Sequence, residues 1–207
     1  IVLNIDIPET VAVGQNISIT GSVADNQLIP IAGHQVELII DGITITSLET
    51  DSSGEFTYLW TVSDLFEFGN RTITAYSGSQ GYYRANSTNA TFFLAHRADM
   101  TVSFDSNSQV TRGELWELSG RLFDIDSLTN EGLENELLEI YLDGQLVATT
   151  QTGEDGNWNV IVFATQDLTR GLHEIDIVFP GTFSHVGTDE KVIGYVSVSY
   201  THLTLPT

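Results

Sequence analysis

The 207-residue chain has no cysteine, one methionine, four prolines and a single lysine, Lys191. Without cysteine there is no disulfide and no thiolate nucleophile or ligand, so thiol catalysis is excluded and the redox compartment cannot be read. Basic residues are scarce: 7 stand against 28 acids, a net charge of −21. A surface so acidic repels phosphate backbones, which excludes nucleic acid as a partner. No run of about 18 apolar residues occurs, so no membrane insertion is expected in this fragment. The first residue is Ile1, already inside an alternating apolar pattern, which is expected of a piece cut from a longer protein. Hydrophobic residues nevertheless make up 41%, too many for a disordered acidic tail.

What is present is an internal repeat. Gly14 and Gly21 recur as Gly113 and Gly120, at an offset of 99. Asp41-Gly42, Thr50, Gly54, Phe56 and Gly69 recur as Asp143-Gly144, Thr152, Gly156, Trp158 and Gly171, at an offset of 102. The change of offset places a three-residue insertion between Gly120 and Asp143, within 124–132. Two homologous modules follow: residues 1–97 and 98–198, with 199–207 as a tail outside the fold. Acids outnumber bases 10 to 3 in residues 1–97 and 18 to 4 in residues 98–207. The second module therefore carries most of the charge, and salt should relieve its self-repulsion.

Both modules read as all-β. Period-two alternation runs through Ile17/Ile19, Val36/Leu38/Ile40 and Phe56/Tyr58/Trp60, then through Trp116/Leu118, Leu138/Ile140/Leu142 and Trp158/Val160/Val162. Asp-Gly at 41–42 and at 143–144 predicts two-residue hairpins. No segment keeps a helical apolar stripe. Seven short strands in about 100 residues predict two tandem seven-stranded Ig-like β-sandwiches. The only residues left between them, 96–99, are expected to be a short linker between end-to-end modules.

The string Thr20-Gly-Ser-Val-Ala-Asp25, followed by Ile29-Pro-Ile-Ala-Gly33, Val36-Glu-Leu38, Asp41-Gly42 and Glu49-Thr-Asp-Ser-Ser-Gly54-Glu-Phe56, resembles bacterial and archaeal Ig-like surface repeats. It is also similar to the carboxypeptidase regulatory-like, prealbumin-like sandwiches. The resemblance implies a non-catalytic stalk, spacer or adhesive module of a secreted or envelope-anchored protein. Its partners would be adjacent domains of that longer protein and surface glycans or proteins. The alternative is an accessory carbohydrate- or calcium-dependent binding module beside an envelope enzyme of transglutaminase-like or peptidase type. The last residues, Tyr200-Thr-His-Leu-Thr-Leu-Pro-Thr207, resemble translated adapter sequence from metagenome assembly and are expected neither to pair nor to pack.

Candidate functional residues are few. His34, His96, His173 and His185 are expected to be solvated or interfacial, since no Gly-x-Ser-x-Gly or His-Glu-x-x-His motif accompanies them. Asp124, Asp126 and Glu131, in the inserted acidic segment, could supply oxygens to Ca2+, a hard cation. Tyr82, Tyr83 and Arg84 form an exposed contact candidate, with one tyrosine facing solvent and the other packing. Trp60, Trp116 and Trp158 belong to the core by their spacing. Asn16, Asn70, Asn86 and Asn89 each open an N-x-[ST] glycosylation sequon.

Overall fold

A computed structural model describes residues 1–198; the expected tail lies outside the described residues. The chain divides into two compact units between His96 and Arg97, each built from two sheets around its own apolar core.

In the first unit, β1 (Val2–Asp6), β3 (Asn16–Ala24) and β6 (Glu55–Thr61) form one antiparallel sheet. The facing sheet runs β5 (Ile43–Glu49), β4 (Gln35–Ile40), β7 (Gly69–Ser77) and β8 (Asn86–Phe104), with β2 (Thr10–Ala12) parallel to β8. The alternating residues do what their spacing requires: Ile17, Ile19, Val36, Leu38, Ile40 and Phe56 are buried, with Trp60 edge-on to Phe66 and Phe92.

The second unit repeats the plan. Ala98–Phe104 of β8 pairs with β10 (Leu115–Asp124), which pairs with β13 (Asn157–Phe163). Opposite lie β12 (Gln145–Gln151), β11 (Leu137–Leu142), β14 (Gly171–Gly181) and β15 (His185–Ser197), with β9 (Gln109–Thr111) parallel to β15. Trp116 is fully buried and its indole N–H donates to the Ser108 carbonyl at 3.0 Å. Trp158 is buried as well.

The repeat holds at atomic level. Ile31 N–H donates to Val23 O as Leu133 N–H donates to Leu122 O, both at 3.0 Å. Val23 and Leu122 are 99 residues apart, Ile31 and Leu133 are 102 apart, so the insertion lies between Leu122 and Leu133. The Asp-Gly turns are tight, with Ile40 opposite Ile43 and Leu142 opposite Gln145. Their central residues have φ of 46° and 87° in one unit and 50° and 79° in the other, as a type I′ turn demands.

Two expectations are corrected. Residues 96–99 are not a linker but lie within β8, because Ala98 and Asp99 pair with Asp124 and Phe123. Among the described residues each unit has an eighth strand segment, β2 or β9. The first strand breaks at Pro8 and Glu9, where the ring removes a backbone donor, and Val11 and Ala12 then cross to the other sheet and are buried.

Candidate functional site

The Tyr82 loop is a tight hairpin. Gln80 and Tyr83 exchange backbone hydrogen bonds at 3.1 and 3.0 Å, and Gly81 between them has φ +58°. The Gln80 side chain ties the hairpin down, accepting from Gln35 N–H at 3.1 Å and donating to Gly33 O at 3.3 Å. Tyr83 is 38% exposed and sets its ring edge-on to the buried His34, whereas Tyr82 projects fully into solvent. Tyr82, Tyr83 and Arg84 face Asp25, Asn26 and Gln27 of the β3–β4 loop across a cleft of about 610 Å³, whose lining Ile1 completes. Asp25 Oδ1 holds that loop, accepting from the N–H groups of Gln27 and Ile29 at 2.8 and 2.9 Å.

The acidic insertion of the second unit is internally paired. Asp124 is buried at the end of β10, and its Oδ1 accepts from the N–H groups of Asp126 and Ser127 at 2.8 and 3.2 Å. Asp126 is gripped by Arg97, whose backbone N–H donates to it at 2.7 Å and whose guanidinium forms an ion pair with it. Glu131 is exposed, and its N–H donates to Ser127 Oγ at 2.7 Å. Arg121 clamps the insertion from outside, donating to Asn130 O at 2.8 Å and to Asp155 O at 2.7 Å. Among the described residues, the side chains of Asp124, Asp126 and Glu131 do not come together as a three-ligand cluster.

The histidines are less solvated than expected. His34 is 2% exposed, because it lies under Tyr83 at the start of β4, and its N–H donates to Thr50 Oγ1 at 2.9 Å. Burial pushes its pKa down. His173 is also buried, since its β14 position faces the core side of the Asp143 turn. Its Nδ1 lies 2.6 Å from Asp143 Oδ2 and its Nε2 2.9 Å from Thr169 O. Burial opposes the charged form, but the hydrogen bonds to these two acceptors outweigh it, and the net shift is upward. His185 lies 3.7 Å from Asp124, with Ser184 Oγ 3.0 Å from its other ring nitrogen, and so joins the β14–β15 turn to the end of β10. His96 stacks on Phe68. The signal for His34 and His173 was in the repeat: each aligns with a polar residue on a strand shoulder, Glu136 and Arg71, rather than with a free loop.

All four sequon asparagines are exposed and lie on strands, Asn16 on β3, Asn70 on β7, Asn86 and Asn89 on β8. The amide of Asn16 accepts from Thr61 and that of Asn86 donates to Ile1 O.

No curated protein matches the sequence. Among solved structures, the chain is similar to a "Ca2+-stabilized adhesin" that "helps an Antarctic bacterium reach out and bind ice", at 16% identity and a TM-score of 0.39, over 95% of this chain and 49% of that one. It is similar to invasin, described as a bacterial integrin-binding protein, at 15% identity and a TM-score of 0.37, over 96% and 40%. It is also similar to an E. coli alpha-2-macroglobulin at 9% identity and a TM-score of 0.42, over 95% and 17%. The chain thus spans about half the length of the Antarctic adhesin and less of the other two. Among the described residues, no helix is long and apolar enough to cross a membrane. Residues 7–75, which make up most of the first sandwich, match the family model of the Bacterial Ig domain.

Proposed function

We propose that the chain is a non-catalytic stalk, spacer or adhesive segment of a secreted or envelope-anchored surface protein, working beside adjacent domains of the same longer chain. The observation that carries this reading is the parallel pairing, within each unit, of the short segment that follows the first strand with the last strand. In the first, Thr10, Val11 and Ala12 pair with Phe93, Leu94 and Ala95. In the second, Gln109, Val110 and Thr111 pair with Tyr195, Val196 and Ser197. Glu9 O and Ser108 O accept the same bond, from Phe93 N–H and Tyr195 N–H, both at 2.8 Å. Tension along the chain pulls two parallel neighbours in opposite directions. Their hydrogen bonds are then sheared together rather than unzipped singly, which suits a segment under load. The bacterial Ig domain over residues 7–75 supports the same reading.

The test is single-molecule stretching of the chain held at its two ends. Each sandwich should resist as a unit and unfold in one discrete step; gradual extension at low force would contradict the reading.

A calcium-dependent form of this function would use Asp124, Asp126 and Glu131. Since Arg97 already neutralises Asp126, calcium would have to displace the guanidinium. A melting temperature that rises with calcium and falls with EDTA supports such a site, and an unchanged one removes it.

A further inference from the structure

The geometry points to the cleft between the Tyr82 hairpin and the Asp25–Gln27 loop as a binding site for an uncharged oligosaccharide. The inference deepens the adhesive half of the function proposed above and rests on it.

Three observations carry it. First, the hairpin is held rigid from below: the Gln80–Tyr83 bonds, the Gln80 amide on β4 and the edge contact of Tyr83 with His34 fix its backbone. Tyr82 is nonetheless wholly exposed, so the fold pins the loop and leaves its largest ring unused. An exposed tyrosine on a backbone tied down in this way offers a flat apolar face with a polar rim, and has only two side-chain torsions to fix, and a pyranose ring presents C–H groups on one face and hydroxyls around its edge.

Second, the polar lining is free to bind. Among the described residues, the side chains of Asn26, Gln27 and Arg84 make no hydrogen bond, and the bonds of Asp25 fall on Oδ1 and leave Oδ2 outside them. Together they offer amide donors and acceptors, a carboxylate acceptor and a guanidinium fork, the mixed set that adjacent hydroxyls require. The charge composition selects against other ligands. The charged side chains of the lining are one arginine and one aspartate, with Ile1 beside them, and in a chain of net charge −21 they make a poor anion trap. One carboxylate supplies too few oxygens for a hard cation.

Third, the second unit has closed the same place. Ser184, His185 and Val186 stand where the first unit has Tyr82, Tyr83 and Arg84. There His185 reaches to 3.7 Å from Asp124, the counterpart of Asp25, so that the two loops are joined. The first unit keeps an open cleft, an exposed ring and a cation in their stead.

The experiment applies the full chain to a printed array of neutral and uronic-acid oligosaccharides, followed by calorimetric titration of the best neutral probe. Saturable binding to a neutral oligosaccharide is expected, weakened at least tenfold by Tyr82→Ala and by Arg84→Ala. Both variants should keep the parent melting temperature, because neither side chain has a hydrogen bond to lose among the described residues. Phe183→Ala, in the second unit, should leave binding unchanged. Three results would overturn the site: no neutral glycan bound, binding confined to uronic-acid glycans, or binding that survives both Tyr82→Ala and Arg84→Ala. None of them bears on the stretching behaviour, so a chain that binds no glycan but resists force remains a spacer.

Discussion

His173 occupies in the second sandwich the place that Arg71 holds in the first. Each meets the aspartate of the Asp-Gly hairpin, Arg71 on Asp41 at 3.0 Å and His173 on Asp143 at 2.6 Å. Each also donates to a backbone carbonyl just upstream, Phe68 O or Thr169 O. Behind them Thr72 N–H and Glu174 N–H donate to the same aspartates at 3.2 and 3.0 Å. The architecture wants a cation under the hairpin. One module uses a permanent charge and the other a titratable one.

The second sandwich should therefore lose stability as pH rises. The folded-state pKa of His173 is raised, so its contribution is fully present below the unfolded value of about 6.5 and disappears as pH climbs through the folded one. With Asp143 half exposed, losing this pair costs about 1 kcal/mol. Thermal melts followed by Trp116 and Trp158 fluorescence, in a Trp60→Phe background, should show this decline. His173→Arg should flatten it; an unchanged slope in that variant would assign the decline to other groups.

The first sandwich should respond in the opposite sense. Burial lowers the pKa of His34, so below pH 6.5 the unfolded chain takes up a proton that the folded one resists, and stability falls with acid. Melts followed by Trp60, with Trp116 and Trp158 replaced by phenylalanine, should decline below pH 6.5. His34→Gln should remove most of that decline while shifting the neutral-pH midpoint much less.

Gly21 and Gly120 serve close approach rather than a turn. A Cβ on Gly21 would stand 2.1 Å from Phe56 Cζ and 2.3 Å from Asn4 O; one on Gly120 would stand 1.9 Å from Thr101 O and 2.6 Å from Trp158 Cζ2. Backbone oxygens cannot step aside, so Gly21→Ala and Gly120→Ala should each cost about 2–3 kcal/mol in urea unfolding. Gly78→Ala, where the nearest atom is 4.0 Å away, should cost under about 1 kcal/mol.

The charge imbalance makes a prediction about salt. With 18 acids against 4 bases in residues 98–207, the second sandwich should gain more melting temperature than the first when sodium chloride rises from low to molar levels. Equal or absent shifts in the two single-module melts would tell against self-repulsion as the cause.

What could be read in the sequence divides along physical lines. Strand alternation and the Asp-Gly turns are local, so Val36/Leu38/Ile40 and Asp143-Gly144 announced themselves. The place of the insertion was legible because two offsets bracket it. The short strands β2 and β9 were not legible: three residues hold too little alternation, and their pairing with β8 and β15 is set some 80 residues away. Nor could 96–99 be read as strand, since Ala98 and Asp99 are ordered by partners on β10. For the site, adjacent tyrosines after Gly81 indicated that one ring would face out. The opposing Asp25–Gln27 loop and the Arg97 grip on Asp126 are tertiary facts without a sequence period.

Stretching the chain with one of the parallel strand pairs weakened tests their mechanical role most directly. Val11→Pro removes a backbone donor from β2, while Leu38→Ala removes core packing from β4, which neither enters nor leaves the unit, at an equilibrium cost of about 2–5 kcal/mol. The prediction is that Val11→Pro lowers the unfolding force of one of the two steps far more than Leu38→Ala does, even where the two lose similar equilibrium stability. Equal drops for equal losses of stability would contradict it, and would mean that the strand pairs give the module no mechanical role of their own.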